Sequence, residues 1–354
     1  MVFLLQALRA WLKSGPVPDP ARLDLAGLLE LANWHGLLPV LSEVCPSLDP
    51  ELRRYAQAQA FRNRLLAEEL LRLLELFRDR GVPALALKGP LLAEWLYGSV
   101  SLRPFGDLDI LVEPEQARSA RALLEEAGYL PDHPGAEASG YHWRFSRGDE
   151  TAVVELHWGF STREFHFPLQ QEVWPRRRSY FLLGRQVESL GLEHQLLTLA
   201  VHGSRHLWKR IFWLVDLALL LRRGEPLDTH DLWQQAKRLR SHRMLALAIA
   251  LVQHLLRVPT PGFPAYPRLE GLVRQVEQDW LEGHVGPPTL PQRYRFYYQI
   301  REDPRDRAQV LSNLLRIVTT PTLEEQARWP LAPRWRFLYR VLKPVWLLRR
   351  LLPR

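Results

Sequence analysis

The hydrophobic and polar positions of the chain change their period twice. Residues 1–80 place apolar side chains at helical spacing, most clearly in AQAQAFRNRLLAEELLRLLELFRDRG, which Gly81 ends. Residues 81–190 contain short apolar runs that alternate with short helical segments, and long segments of helical spacing return after residue 190. We therefore predict an α+β protein with an N-terminal helical region at 1–80, a small mixed β-sheet core at 81–190 and a C-terminal helical domain at 191–354.

The central region alternates predicted strands with predicted helices. VPALALKG, DLDILVE, YHWRFSR and TAVVELHW are typical of strands, and SYFLLGRQVESLG predicts a hairpin that turns at Gly184. PLLAEWLYG and EQARSARALLEEAGY have helical spacing, with Pro90 suited to a first turn and Gly128 to a helix end. The Gly148-Asp149 pair predicts a turn between two of the strands.

The C-terminal region contains long helical segments and a proline-rich separator, VPTPGFPAYP. LEHQLLTLAVHGSRHLWKRIFWLVDLALLLRRG is amphipathic, with a break expected near Gly203-Ser204. DTHDLWQQAKRLRSHRMLALAIALVQHLLR follows, with Asp228 or Thr229 as its N-cap. WRFLYRVLKPVWLLRRLLPR predicts a basic amphipathic helix that Pro344 interrupts.

The composition argues against a disulfide-rich or membrane-spanning protein and favours a globular one with an anionic partner. The 354 residues are 47% hydrophobic, which is ample for a packed core. A single cysteine, Cys45, excludes a disulfide framework and a CxxC metal site and fits the reducing cytoplasm. No apolar run approaches the roughly 18 residues of a spanning helix, and we expect no signal peptide. The net charge of +8 suits an anionic partner such as a nucleotide, nucleic acid or membrane surface.

The strand DLDILV begins with two aspartates one residue apart. A strand projects alternate side chains to one face, so Asp107 and Asp109 should point the same way and repel unless a cation lies between them. Mg²⁺ commonly takes one or two carboxylates together with phosphate oxygens. Phosphoryl and nucleotidyl transfer use such an ion to neutralise charge on the phosphate. The alternative is a solvated pair at a sheet edge.

A third acid, Glu155, lies inside the apolar run AVVELHW. An acidic side chain in an apolar strand is costly unless it is paired or bound to metal, so Glu155 is a candidate for the same site. An edge-strand Glu155 that faces water is the alternative. We expect Leu156 to face away from Glu155 and His157 to lie on the opposite side from Glu155, as a satisfied core histidine.

The segments ALKGPLLAEWLYGSVSLRPFGDLDILV, VVELHW and HGSRHLWKRIFWLVDLALLL together resemble the uncharacterised bacterial nucleotidyltransferase family, within the superfamily of DNA polymerase beta. The close resemblance covers about 85–160, with weaker support over 190–222. It implies that Asp107, Asp109 and Glu155 are catalytic and bind a metal, Mg²⁺ or Mn²⁺, and that an NTP is the substrate.

The motif that precedes the first helix of the core departs from the Gly-Ser or Gly-Gly motif that is usual in that superfamily. In this chain the motif is Lys88-Gly89-Pro90, and Pro90 lacks an N–H that could bind phosphate. Gly89 still allows close backbone approach at a helix N-terminus, which attracts anions. Lys88 is a candidate nucleotide-binding residue; the alternative is a surface lysine at the end of a strand. Arg103 is a second candidate; the alternative is a structural salt bridge to an aspartate.

Other polar residues have plainer interpretations. His202 and His206 have the i, i+4 spacing of a metal-binding pair, but HGSRH lacks the glutamate of HExxH, so we expect a mixed helix face that packs on the sheet. Asp216, within FWLVDLALLL, predicts a buried polar residue that caps or bridges elements. We expect Tyr97 to pack in the core rather than to stack on a base.

The resemblance leads to a Mg²⁺-dependent nucleotidyltransferase of the cytoplasm, which moves an NMP from an NTP to a hydroxyl of a protein, RNA or small-molecule acceptor. The alternative is a non-catalytic, basic nucleotide- or RNA-binding relative, favoured by the missing Gly-Ser motif and opposed by the three acids. The basic C-terminal helix is also a candidate for peripheral membrane contact, which is compatible with either interpretation.

Overall fold

The structure is a computed structural model that describes residues 1–20, 24–132, 140–148, 152–160, 165, 167–264, 266–322, 325–326 and 329–344. Asp149 of the predicted Gly148-Asp149 turn lies outside these residues, as does the predicted C-terminal helix from residue 345 onwards. The chain divides into two compact units, one of residues 1–162 and 167–288 and the other of residues 163–166 and 289–354.

Helices occupy much of the described chain. Before the sheet lie α1 Val2–Lys13, α2 Leu25–Trp34, α3 Leu38–Val44 and α4 Pro50–Asp79. Among and after the strands lie α5 Gly89–Tyr97, α6 Ala117–Glu126, α7 Gln170–Val173, α8 Leu192–Arg205, α9 Phe212–Arg222, α10 Thr229–Arg238, α11 His242–Leu251, a π-helix Val252–Leu256 and α12 Glu270–Leu281. The second unit contains α13 Leu290–Ile300, α14 Pro304–Thr319 and a 3₁₀ segment Pro333–Leu338. No helix of the described residues is long and apolar enough to cross a membrane.

A five-stranded mixed sheet forms the centre of the first unit. Its strands are β1 Ala84–Ala86, β2 Leu108–Val112, β3 Leu130–Pro131, β4 His142–Ser146 and β5 Val153–His157, in the order β1-β2-β5-β4-β3. β2 and β5 are parallel, and the other neighbouring pairs are antiparallel. A separate hairpin joins β6 Arg178–Leu182 to β7 Arg185–Ser189, and Gly184 adopts the positive φ of 76° at its turn. The predicted α+β class, with a small mixed sheet and helical flanks, is confirmed.

The two faces of β2 and β5 differ in chemistry. Alternate residues of both strands enter one hydrophobic core with α4 and α6, namely Leu108, Ile110, Val112, Val154 and Leu156. Because successive side chains of a strand point to opposite faces, Asp109 and Glu155 lie on the other face. The sheet therefore has an apolar side that stabilises the fold and a polar side that is available for chemistry.

The break expected near Gly203-Ser204 is confirmed, because α8 ends at Arg205 and α9 begins at Phe212. Between the two helices, Leu207 and Trp208 have positive φ values of 55° and 54°. This reversal folds the buried Trp208 ring onto Gly203, where an added Cβ would lie 2.3 Å from the ring. The glycine therefore allows close packing in the last turn of the helix.

The N-cap predicted for the next helix is confirmed. Asp228 precedes α10, and its side chain accepts a hydrogen bond from the backbone N–H of Asp231. This satisfies one of the N–H groups that have no partner within the helix.

Candidate active site

A cavity of about 500 Å³ opens on the polar face of β2 and β5. It brings together all of the residues that the sequence proposed for the site. They are Lys88, Gly89, Arg103, Asp107, Asp109 and Glu155.

Asp109 and Glu155 lie directly opposite each other in the parallel register of β2 and β5. Asp107 precedes β2 by one residue and lines the same cavity. Burial raises the pKa of Asp107 to about 6, and the neighbouring carboxylates of Asp109 and Glu155 add to this effect. The three acids therefore form one electrostatically coupled group, although they come from two separate parts of the chain.

His157 lies on the same face as Glu155. The expectation that it would lie on the opposite side is wrong, because residues two apart in a strand point the same way. Its Nε2 is 2.8 Å from Asp109 Oδ1 and 3.5 Å from Glu155 Oε2. Burial alone would lower the pKa of His157, but its hydrogen bonds to these two carboxylates raise it. The spacing of Glu155-Leu156-His157 was the signal that places this side chain in the site.

Lys88 supplies a positive group to the acids. Its Nζ lies 3.8 Å from Asp109 Oδ1, and its side chain is only 19% exposed. Burial would raise the pKa of Asp109, but the Lys88 ammonium and the His157 hydrogen bond lower it well below its usual range. In the structure, therefore, Lys88 provides a positive charge and His157 a hydrogen bond that stabilise the Asp109 carboxylate.

The backbone at Lys88 is unusual for a residue with a side chain. Lys88 has φ 23° and ψ −132° at the N-cap of α5, and Gly89 follows with φ 42°. A non-glycine residue outside the common backbone regions is strained, and such strain clusters at functional sites. This turn directs the N-terminus of α5 and the Lys88 side chain to the same cavity.

Arg103 forms a structural ion pair. Its Nε and Nη2 donate to the two carboxylate oxygens of Asp216 at 2.9 Å each, and both side chains are buried. The Tyr97 hydroxyl donates to Asp216 Oδ1 at 2.7 Å. The expectation of Asp216 as a buried bridging residue is confirmed. The structural interpretation of Arg103 is observed, and its nucleotide-binding role stays a proposal.

Aromatic and cationic side chains line another wall of the cavity. The rings of His202 on α8 and of His206, the residue that follows α8, are 4.6 Å apart, and both lie near the Trp213 ring, at 5.4 and 4.9 Å. Arg205 Nη2 donates to the Tyr141 hydroxyl at 3.0 Å. Burial, followed by the charge of Lys88, lowers the pKa of His202 well below its usual range. The cavity thus combines acids with imidazole and indole rings and guanidinium groups.

The profile of a family described as uncharacterised nucleotidyltransferase matches residues 22–257, which is more than half of the chain. The chain belongs to this family. The identification made from its sequence motifs is therefore confirmed, and with it the assignment as a nucleotidyltransferase whose acceptor is unknown.

Solved structures similar to this nucleotidyltransferase include the solution structure of the antibiotic-resistance factor ANT(2'')-Ia. It is 13% identical with a TM-score of 0.31, over 62% of this chain and 95% of that chain. Another is an antigenic nucleotidyltransferase-like protein from Paracoccidioides brasiliensis, also 13% identical, with a TM-score of 0.33 over 56% of this chain and 92% of that chain. The comparison with curated proteins gave no significant match.

The acidic face of this nucleotidyltransferase fits a divalent cation. Among the described residues, one ligand atom each of Asp109, Glu155 and His157 lie within 4.8 Å of one another. Carboxylate oxygens and imidazole nitrogen are common ligands of divalent metals in proteins. The donor set, and its position in a cavity rather than on an open surface, suits the metal that nucleotidyl transfer uses.

Proposed function

We propose that this nucleotidyltransferase transfers an NMP from an NTP to a hydroxyl of a protein, RNA or small molecule. The observation that carries the proposal is the convergence of Asp107, Asp109 and Glu155 from two parts of the chain in one cavity that also contains Lys88. The acceptor oxygen bonds to the α-phosphorus, the bond from that phosphorus to the bridging oxygen breaks, and pyrophosphate leaves.

The proposed roles follow from charge and position. Asp107, Asp109 and Glu155 would hold Mg²⁺ (or Mn²⁺), which neutralises charge on the phosphates when bound. Lys88 would bind triphosphate oxygens as a point charge, beside the N–H groups at the start of α5 near Gly89. Arg103 lines the same cavity and would contribute positive potential while its pair with Asp216 stays intact.

Glu155 is proposed to take the proton of the acceptor hydroxyl. Burial would raise its pKa, but the hydrogen bond from His157 lowers it, so the side chain is a carboxylate at neutral pH. A carboxylate next to the phosphate site can accept a proton as the new bond forms. The helical regions at 1–80 and 191–354 are proposed to select the acceptor.

A labelling experiment tests the function. The full chain is incubated with each of four α-³²P-labelled NTPs and a cell lysate, with and without EDTA, and transfer of label to any acceptor is followed. We expect metal-dependent labelling that Asp107→Asn and Asp109→Asn abolish, while Glu126→Gln, an exposed acid outside the cavity, retains it. Glu155→Gln should lower the rate by roughly 10²–10⁴ with little change in NTP affinity.

Two results would count against the proposal. Wild-type turnover in both aspartate variants would remove the assignment of the acids. Metal-dependent NTP binding without transfer to any fraction of the lysate would favour the non-catalytic, nucleotide- or RNA-binding alternative.

A further inference from the structure

His157 contacts the proposed catalytic acids but is not one of them. It is only 6% exposed, and its Nε2 faces both Asp109 and Glu155. The two carboxylates that this nitrogen faces lie opposite each other in β2 and β5.

Packing holds the His157 ring in this orientation. Its register partner on β4 is His142, whose ring stacks on it with a centroid distance of 5.2 Å and an interplanar angle of 20°. The Tyr141 ring lies 6.1 Å away. A ligand held by its neighbours before metal binds loses little freedom on binding, which favours coordination.

We propose that His157 Nε2 is a nitrogen ligand of the metal position between Asp109, Glu155 and His157, and that this position takes a transition-metal dication. This inference rests on the proposed function. Among the described residues, one ligand atom from each of these three side chains lies within 4.8 Å of the others, and Asp107 is not part of this compact group.

The imidazole nitrogen in the donor set determines which metals this position prefers. Mg²⁺ binds oxygen ligands, demands near-octahedral geometry and gives up its waters reluctantly. Imidazole nitrogen instead favours first-row transition metals, and the affinity of a mixed site rises from Mn²⁺ through Co²⁺. We therefore expect this position to retain Mn²⁺ in the presence of excess Mg²⁺.

Spectroscopy of bound Mn²⁺ tests the nitrogen ligand without an activity assay. Mn²⁺ is titrated into the full chain in excess Mg²⁺, free Mn²⁺ is counted by electron paramagnetic resonance, and the spin-echo envelope is examined for directly coordinated ¹⁴N. We expect one retained Mn²⁺ with ¹⁴N coupling. His157→Gln should lose that coupling and weaken Mn²⁺ binding at least about 10-fold, since loss of even an outer partner of a metal ligand costs that much.

His142→Gln is the matched control, because it removes an imidazole from the same cavity at the register partner of His157. It should keep the ¹⁴N coupling. Absence of ¹⁴N coupling in the wild type, or its persistence in folded His157→Gln, overturns the inference, and His157→Asn provides a second variant if the first does not fold.

Asp109→Asn separates this inference from the proposed function. If Asp109→Asn loses all Mn²⁺ while His157→Gln binds it like the wild type, the nitrogen ligand is wrong and the acidic metal site stands. If Asp109→Asn binds Mn²⁺ as the wild type does, the proposed acidic metal site itself fails, and the nitrogen-ligand inference fails with it.

Discussion

Arg103 and Asp216, which are 113 residues apart in the sequence, form a buried bidentate ion pair. Arg103 belongs to the segment between α5 and β2, and Asp216 belongs to α9. The pair therefore fixes the segment that leads into β2 against a helix that follows the sheet in the chain. Tyr97, from the end of α5, donates to the same carboxylate and completes the junction.

Removal of one partner should destabilise the fold strongly. Asp216→Ala leaves the buried guanidinium of Arg103 without its carboxylate, and we expect a loss of about 3–5 kcal/mol in the free energy of unfolding. Urea denaturation followed by circular dichroism measures it. The control is Glu68→Ala, which removes an exposed pair with Arg64 and should cost about 0.5 kcal/mol or less. A similar loss in both variants would contradict the structural role of the buried pair.

Lys88 is expected to bind the triphosphate. Lys88→Met should weaken NTP binding roughly ten- to a hundred-fold, since a charge-assisted hydrogen bond contributes about 1.5–3 kcal/mol. Lys88→Arg should be partly tolerated because the positive charge remains. Calorimetric dissociation constants at two salt concentrations measure the effect, with Lys237→Met at an exposed position as the control. An unchanged constant in Lys88→Met would leave the start of α5 as the phosphate-binding element.

Gly203 should not tolerate even a methyl group. A Cβ there would lie 2.3 Å from the buried Trp208 ring, so Gly203→Ala must displace the ring or the helix and should cost about 1–3 kcal/mol. Gly271→Ala is the matched control, because Gly271 is also helical but has nothing within 4 Å of an added Cβ. That variant should be neutral or slightly stabilised, as alanine favours helix over glycine. The midpoints of thermal unfolding of both variants distinguish a steric clash with Trp208 from an effect of helix propensity.

Short-range patterns predicted the sheet and the acids well. The alternation in DLDILV and AVVELHW predicts acids on one face, and the residues on the other face, such as Leu108, Ile110 and Leu156, form part of the hydrophobic core. By the same rule His157 lies on the face of Glu155, so the expected opposite orientation of His157 was wrong. The register that sets Asp109 opposite Glu155 comes from the parallel pairing of β2 and β5, which local spacing does not encode.

Long-range packing could not be predicted from the sequence. Nothing in the spacing of Arg103 indicates which aspartate it meets, because the partner comes from a helix far along the chain. Gly203 indicated the break near the end of α8 because glycine is a poor helix former, but local spacing did not indicate that the Trp208 ring packs on it. The rings of His202 and His206, at the end of α8, likewise depend on a distant contact, since both lie against Trp213 of α9.

His35 should make the stability of the protein depend on pH. The side chain is buried after α2, and its Nδ1 accepts the backbone N–H of Ile211 at 3.3 Å. Burial, assisted by the charges of the N-terminal amino group and Arg210, lowers the pKa of His35 from 6.5 to about 3. The His35 imidazole therefore binds a proton below about pH 6.5 in the unfolded chain, but only below about pH 3 in the folded chain.

The contribution of His35 is fully present above pH 6.5 and is lost as pH falls towards 3, by at most about 1.4 kcal/mol per pH unit. His35→Gln keeps an acceptor for Ile211 but removes this titration. We expect its free energy of unfolding to lie below that of the wild type at pH 8, with a difference that shrinks steadily between pH 6.5 and pH 4. Denaturant unfolding across this range measures it, with His230→Gln as the control at an exposed position. Parallel curves for the wild type and His35→Gln would show that the buried imidazole does not resist protonation, because only a group whose pKa differs between the two states can change the slope.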